Sequence, residues 1–276
     1  MNAAFTPFFD LLTSRTRAGD SVSFNVTDDW LQGRTAFGGL IAAIAAQAMR
    51  DVAGAGWPAE LRLRGLQTNF IGPLAAGAAV VAVQVLREGK SVRQVQASVT
   101  SQGQVAALLV GVYGSPRATS IDSLSPRQPE VRVMADDAPT WPFMPGLMPA
   151  FLQHFSFGWA AGDPPYSGGK GWATSMYIRL LGDRADLVDK DVLTVLLADT
   201  PPSPATSRFR QPAPASSVCW ALELLPLETP VSADDWWRID TQARSASGGY
   251  VNQSSTLWTP SGEPAAFGHQ VVTVYG

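Results

Sequence analysis

The sequence has 276 residues, which is enough for one large domain or for two domains of roughly 100 to 150 residues. Hydrophobic residues make up 46% and charged residues 16%, the formal net charge is −3, and the basic residues form no run. These values exclude a disordered chain and a nucleic-acid-binding surface, so we expect a globular protein without a nucleic-acid partner.

The residues that usually bind metals or form disulfides are scarce. Cys219 is the single cysteine, and the two histidines, His154 and His269, form no cluster at metal-ligand spacing. We therefore expect no metal and no redox cofactor. The longest apolar run, Leu40 to Ala46, is far shorter than the roughly 18 residues of a membrane span, and no basic residue precedes the apolar N-terminus. A cytoplasmic protein without a membrane span is the expectation.

The first part of the chain, residues 1–114, predicts one strand, one helix and four further strands. Ser21 to Val26 has the alternation of a strand, and Gly38 to Arg50 is Ala-rich and apolar on nearly every face, which is typical of a buried helix. The later strands are separated by short turns that contain glycine, as in consecutive antiparallel hairpins. They are Leu61 to Ile71, Val80 to Arg87, Ser91 to Thr100 and Gln104 to Tyr113.

Residues 115–149 carry a proline every few positions. Proline lacks an amide donor and disfavours helix at the residue before it, so this segment is predicted to be an extended crossover linker.

The last part, residues 150–276, repeats the first pattern. Trp172 to Leu181 is a predicted strand, Lys190 to Ala198 a helix that Pro201 stops, and Ser216 to Leu225 the next strand. The stretch from Trp236 to Tyr275 then predicts three strands with two glycine turns. Each part therefore fits an antiparallel sheet wrapped around one buried helix, an α+β fold.

The turn glycines of the two parts are related by one constant offset. Gly89 and Gly248, and likewise Gly103 and Gly262, differ by 159 positions (248 − 89 and 262 − 103). The same offset relates Val92 to Val251, Gln94 to Gln253 and Thr100 to Thr259. A duplicated domain explains these matches, with chance similarity between two β-meanders as the alternative.

Four short motifs follow one another along the chain: Gly33 to Gly39, Leu86 to Val92, Leu196 to Asp199, and Gly262 to Gln270. With these motifs, the sequence resembles the acyl-CoA thioesterase II family, whose members carry two hotdog folds in one chain. The resemblance implies a tandem hotdog in which each sheet wraps around a buried helix.

The resemblance also implies a catalytic set. It consists of Asp199 at the end of the second helix, Gln270 on the last strand, and a hydroxyl residue on the strand between them. That hydroxyl residue is Ser217, with its neighbour Ser216 as the alternative, where the family usually has Thr. The chain departs from the family at Leu225-Pro226, where a His-Arg pair is more usual.

The residues themselves are compatible with these roles. An Asp at the end of an apolar helix is disfavoured in its charged form, which makes it a stronger base; alternatively, Asp199 only caps the following turn. Gln270 could position a water molecule or simply face solvent. The offset pairs Gln270 with Gly111, and the first helix has no carboxylate between Gly38 and Met49. We therefore expect one catalytic site per chain, where the two parts meet.

Two groups of residues are candidates for substrate binding. Gly38 and Gly39 open the first helix, so their backbone amides could hold a carbonyl oxygen, or the glycines could only permit close packing. Arg87, Lys90 and Arg93 surround the first hairpin turn and could contact the phosphates of coenzyme A, or remain solvated.

The sequence thus predicts an acyl-CoA thioesterase that releases a carboxylic acid and a thiol. Two alternatives stay open: a hotdog protein that binds acyl-CoA without turnover, and an enoyl-CoA hydratase, although such enzymes usually show an Asp-x-Asn-Pro-x-His run that this chain lacks. The number of associated chains is not fixed, so a homodimer or larger homo-oligomer is also open.

Overall fold

The computed structural model describes residues 5–182, 184–227, 229 and 231–275. The α-helices of these residues are α1 (Phe8–Thr13), α2 (Gly38–Ala53) and α3 (Lys190–Ala198). The strands before residue 115 are β1 (Thr16–Ala18), β2 (Ser21–Val26), β3 (Leu31–Gln32), β4 (Thr35–Ala36), β5 (Arg62–Phe70), β6 (Gly77–Glu88), β7 (Val92–Ser101) and β8 (Gln104–Gly114). The later strands are β9 (Phe155–Ala161), β10 (Ala173–Leu180), β11 (Ala215–Leu224), β12 (Trp237–Ser247), β13 (Tyr250–Trp258) and β14 (Pro264–Val274).

Within the described residues, all strands except β3 and β4 form one antiparallel sheet. Its order is β1-β2-β6-β7-β8-β5-β11-β14-β13-β12-β10-β9. We call the elements up to β8 the first half and those from β9 onwards the second half. Read from opposite edges, β2-β6-β7-β8-β5 and β10-β12-β13-β14-β11 are the same arrangement. The predicted tandem hotdog is confirmed, and β5 pairs with β11 to join the two sheets edge to edge.

Helices α2 and α3 form where the sequence predicts them, although α2 continues three residues beyond its predicted end at Arg50. Helix α1 is not among the predicted elements. Helix α2 is apolar nearly all round because the sheet covers one side and α3 the other; ten of its residues are buried. Asp189 caps α3 by accepting the backbone N–H groups of Asp191 and Val192. At the other end, Pro201 and Pro202 prevent the helix from continuing.

The two helices lie antiparallel and in close contact. A Cβ added to Gly39 would lie 2.8 Å from the carbonyl oxygen of Leu196, so glycine is what lets the start of α2 approach the end of α3. At the opposite ends, Arg50 of α2 forms ion pairs with Asp189 and Asp191 of α3. The start of α2 and the end of α3 are thereby held side by side.

The repeat between the halves is confirmed, but its offset is not constant. Val85 and Ala243 flank equivalent bulges and are 158 positions apart (243 − 85). Gly111 and Gln270 hold equivalent places in the ladders of β8 and β14 and are 159 apart (270 − 111). The extra residue lies in the turn between β13 and β14: five residues separate the paired Trp258 and Pro264, whereas four separate the equivalent pair Thr100 and Val105. The predicted matches of Val92 with Val251, Gln94 with Gln253 and Thr100 with Thr259 are therefore each wrong by one residue.

The crossover segment packs on the outer face of the second half. Arg238 donates to the carbonyl oxygen of Pro129, and the Tyr177 hydroxyl donates to that of Val133. Thr140 forms a single antiparallel bridge with Gly158. A cleft of about 640 Å³ lies between this segment and the strands, on the side of the sheet away from the helices. None of the described helices is long and apolar enough to cross a membrane.

Candidate active site

Asp199 is the first residue after α3, and the antiparallel helix pair places it against the start of α2. The nearest heavy atom to a Cβ built on Gly38 is Oδ2 of Asp199, at 2.6 Å. Burial raises the pKa of Asp199 to about 7, although hydrogen bonds from the Gln270 side chain and the Gly39 backbone N–H both lower it. A carboxylate with this pKa can accept and release a proton near neutral pH.

Gln270 lies on β14, on the face that points toward the helices. Its Nε2 donates to Oδ1 of Asp199 at 2.8 Å and to Oγ of Ser217 at 2.7 Å. Its neighbour His269 is exposed on the opposite face, as the alternation of a strand requires. Gln270 is therefore the residue through which the end of α3 and the strand β11 are connected.

A β-bulge decides which of the two neighbouring serines reaches Gln270. On β11 the register shifts between Ser217 and Cys219, so that Ser217 and Trp220 both face inward although three positions separate them. Ser217 contacts Gln270, whereas Ser216 is exposed and its hydroxyl lies nearest the backbone of Ser217. The structure thus brings Asp199, Gln270 and Ser217 together.

The corresponding place in the first half is apolar. A Cβ added to Gly111, the counterpart of Gln270, would lie 2.8 Å from the sulfur of Met49 and 3.4 Å from the side chain of Leu63. Leu63 is the counterpart of Ser217 in the ladder, and Met49 lies near the end of its helix as Asp199 does. The scaffold is repeated, but the polar cluster occurs in the second half.

Of the substrate-binding candidates, the two glycines lie at the cluster. The backbone N–H of Gly39 lies near the Asp199 carboxylate and lowers its pKa, so it favours the charged form of the base. Gly38 leaves room for that carboxylate. Close packing applies at both positions, and both glycines lie beside the Asp199 carboxylate.

The structure does not bring Arg87, Lys90 and Arg93 to the cluster. Arg87 and Lys90 are exposed at the hairpin tip, and Arg93 packs over the Trp57 ring and forms an ion pair with Glu88.

The strand ladders show how far these residues lie from Gln270. Across the sheet, Arg93 pairs with Tyr113, and Tyr113 pairs with Leu63 of β5. From the other side, Gln270 pairs with Trp220, and Trp220 pairs with Thr68 of β5. Four strand spacings of about 4.8 Å and five residues of about 3.3 Å separate Arg93 from Gln270, roughly 25 Å in all.

One polar residue beside the cluster was missed in the sequence. Gln253 on β13 stands directly opposite Gln270, and its Nε2 donates to Oε1 of Gln270 at 2.8 Å. The signal that could have found it is the alternation of β13, which places Gln253 on the same face as the buried Val251 and Leu257.

The described residues contain no group of three or more His, Cys, Asp or Glu side chains arranged to hold a metal ion.

Two family models match this chain over most of its length. The model of the acyl-CoA thioesterase N-terminal domain matches residues 26–114, and that of the C-terminal domain matches residues 133–274. The chain belongs to the acyl-CoA thioesterase family. Asp199, Gln270 and Ser217 all lie within the second match, and Gly38 and Gly39 within the first.

Solved structures show the same fold at low sequence identity. A putative thioesterase II from Thermobifida fusca is 16% identical, with a TM-score of 0.81 over 100% of both chains. A conserved protein of unknown function with a hot dog fold from Alicyclobacillus acidocaldarius is 20% identical, with a TM-score of 0.80 over 99% of both chains. The acyl-CoA thioesterase II TesB2 from Mycobacterium marinum is 16% identical, with a TM-score of 0.70 over 97% of this chain and 98% of that one. No curated protein matches.

Proposed function

We propose that this protein hydrolyses acyl-CoA thioesters to a carboxylic acid and free coenzyme A, with Asp199 as the general base. The observation that carries the proposal is the Gln270 amide, which donates to both Asp199 and Ser217. Three polar groups from α3, β11 and β14 converge in an otherwise apolar interior, as hydrolysis by a positioned water requires. The acyl-CoA substrate class rests on the family match.

Each step of the reaction has a group that fits it. Asp199 takes a proton from water while the water oxygen attacks the thioester carbonyl carbon. The Ser217 hydroxyl, which accepts from Gln270 and still has a hydrogen to donate, orients that water, and Gln270 holds the hydroxyl and the carboxylate side by side. The carbon–sulfur bond then breaks, and the proton held by Asp199 passes to the leaving thiolate. With a pKa of about 7, the carboxyl group can serve both transfers at neutral pH.

The developing oxyanion needs a donor, and the first turn of α2 is the candidate. Backbone N–H groups at the start of a helix have no partner within the helix, and the helix dipole there favours negative charge. The Gly39 N–H already stabilises the charged form of Asp199, which indicates that this turn faces the cluster. The carbonyl oxygen of the substrate would therefore point toward α2 and the water toward β14.

The test is thiol release from a panel of acyl-CoAs of graded chain length, compared between the wild-type protein and the Asp199→Asn variant. Loss of a general base typically lowers the rate by about 10² to 10⁴. We expect at least one acyl-CoA to be hydrolysed by the wild type and a loss of that order in the variant, with the fold retained. An enoyl-CoA in the panel tests for hydration, and acyl-CoA binding without any thiol release would contradict the proposal.

A further inference from the structure

Gln253 is as buried as the core around it, although it carries an amide. Its exposed fraction is 7%. Gln253 projects from β13 toward the helices, directly opposite Gln270, and its Nε2 lies 2.8 Å from Oε1 of Gln270. The polar cluster therefore extends one strand further into the second half than the three residues of the proposed mechanism.

The hydrogen bonds of Gln270 are informative because an amide has two donor hydrogens on nitrogen and acceptor sites only on oxygen. Both nitrogen hydrogens of Gln270 are used, on Asp199 and on Ser217. The remaining atom, Oε1, needs a donor, and Gln253 provides one. If the amide of Gln270 rotated by half a turn, its oxygen would face the Asp199 carboxylate, which is an unfavourable contact between two acceptors.

At the position of Gln253, as at those of Gln270 and Ser217, the second half has a polar residue and the first half does not. With the offset of 158 that the ladders give for β13, the counterpart of Gln253 is Val95, which is fully buried and stands opposite Gly111. The first half thus has Leu63, Gly111 and Val95 at the three strand positions where the second half has Ser217, Gln270 and Gln253. The amide of Gln253 is therefore present in the half that carries the polar cluster and absent from the half that lacks it.

Gln253 also lowers the stability of the fold in a way that a valine at this position would not. Its own Oε1 is buried and has no hydrogen-bond partner among the described residues. Burying an unpaired amide oxygen is destabilising, and an apolar side chain of similar size would avoid it. The donor on Nε2 is the feature that an apolar residue could not supply.

We propose that Gln253 is a positioning residue that holds the amide of Gln270 with its nitrogen toward Asp199 and Ser217. This inference rests on the proposed function, because it assigns Gln253 a part in keeping that cluster ready for catalysis. Gln253 acts on the reaction through Gln270 and does not itself touch the carboxylate.

The test compares Gln253→Leu and Gln253→Glu with the wild type. Leucine removes the donor, and glutamate keeps the length of the side chain but presents an acceptor to Oε1 of Gln270 once it is ionised. We expect kcat to fall roughly 10- to 100-fold in both variants with KM changed less than about threefold, because the Gln270 donor is misoriented rather than removed. The acid limb of the pH–rate profile should move to higher pH, since Asp199 loses a donor to its charged form.

Thr241→Val is the matched control. Thr241 is buried on the neighbouring strand β12, faces the same interior, and its Oγ1 has no partner among the described residues. This variant should have the same kcat as the wild type and the same acid limb of the pH–rate profile. The proposal would be overturned if Gln253→Leu kept both the wild-type kcat and the wild-type acid limb of the pH–rate profile. It would also be overturned if the loss of activity were fully explained by the fraction of unfolded protein. Should leucine prevent folding, Gln253→Met carries the same comparison.

A second readout separates this proposal from the proposed function. The titration of Asp199 can be followed by the ¹³C signal of its carboxyl group, without any substrate. If no thioester is hydrolysed by the wild type, the proposed function fails, yet a higher titration midpoint in Gln253→Leu than in the wild type still supports the positioning role. An unchanged midpoint in the variant overturns it.

Discussion

Nε2 of Gln270 lies 2.8 Å from Oδ1 of Asp199, although 71 positions separate the two residues in the chain. The contact links the end of a helix to the last strand of the sheet. The orientation of the proposed base therefore depends on the register of β14, since a slip of one residue would turn Gln270 to the outer face.

Replacing Gln270 by Ala should lower kcat by roughly 10- to 10³-fold, the range for losing one positioned donor. The melting temperature should change little. His269→Ala is the control, because His269 is adjacent on the same strand and exposed on the other face. Equal activities of the two variants would show that Gln270 has no part in turnover.

The rate should depend on pH through Asp199. The base is active when ionised, so kcat/KM should fall as the pH drops through about 7 and level off above it. The measurement is thiol release from the best acyl-CoA across pH 5 to 9. An acid limb near pH 4, the range of an ordinary carboxyl group, would mean that the base is not a buried carboxylate of this kind.

The same raised pKa predicts that Asp199 destabilises the fold. Between pH 4 and pH 7 the folded state holds a proton on Asp199 that the unfolded chain releases, so this contribution to stability is lost as the pH rises through that window. One pKa unit corresponds to about 1.4 kcal/mol. Asp199→Asn should therefore be more stable than the wild type at pH 8, by on the order of a few kcal/mol. This difference should shrink as the pH falls from 7 to 4.

Thermal unfolding at pH 4 and pH 8 measures this difference. Asp122→Asn, a change at an exposed residue of the crossover, is the control and should show no gain at pH 8. A lower melting temperature of Asp199→Asn at pH 8 would contradict the prediction.

The two glycines at the start of α2 should respond differently to alanine. In Gly38→Ala the new Cβ would meet the Asp199 carboxylate, which can move, so activity should fall at least tenfold with the melting temperature nearly unchanged. In Gly39→Ala it would lie 2.5 Å from the Phe37 ring and 2.8 Å from the Leu196 carbonyl, so the fold should lose stability. Measuring kcat and melting temperature for both variants tests this, and identical behaviour would refute it.

The neighbouring serines provide a further matched pair. Ser217→Ala removes a hydroxyl that accepts from Gln270 and should lower kcat about tenfold, whereas Ser216→Ala changes an exposed side chain and should leave it unaltered. Steady-state kinetics on the same acyl-CoA decide the point. If Ser216→Ala were the impaired variant, the bulge on β11 would be placed wrongly.

Most of the fold was predictable because its signals are local. Helix α3 has the predicted bounds, set by the Asp189 cap and the prolines after Asp199. The strand β2 also has its predicted bounds, and the ends of β7 and β8 lie within one residue of the prediction. Alternation and glycine turns are sufficient for such assignments.

What the sequence could not provide depends on register and on contacts between distant residues. One extra residue in the β13–β14 turn is invisible when turn glycines are aligned, yet it matches Gln253 to Gln94 instead of to its structural counterpart Val95. A bulge after Ser217 changes which residues of β11 face the helices. The position of Arg93 depends on Trp57, whose ring it covers. Alternation alone does not predict these features.

The pairing of β5 with β11 has a consequence for how such a chain can evolve. In a symmetric dimer of identical subunits, every substitution appears twice, so a new side chain on one side of the interface also appears on the other side. Here the two partners of the interface are encoded separately in one chain. Leu63 and Gly111 can therefore be apolar or small while their counterparts Ser217 and Gln270 are polar, so the two halves can differ at equivalent positions.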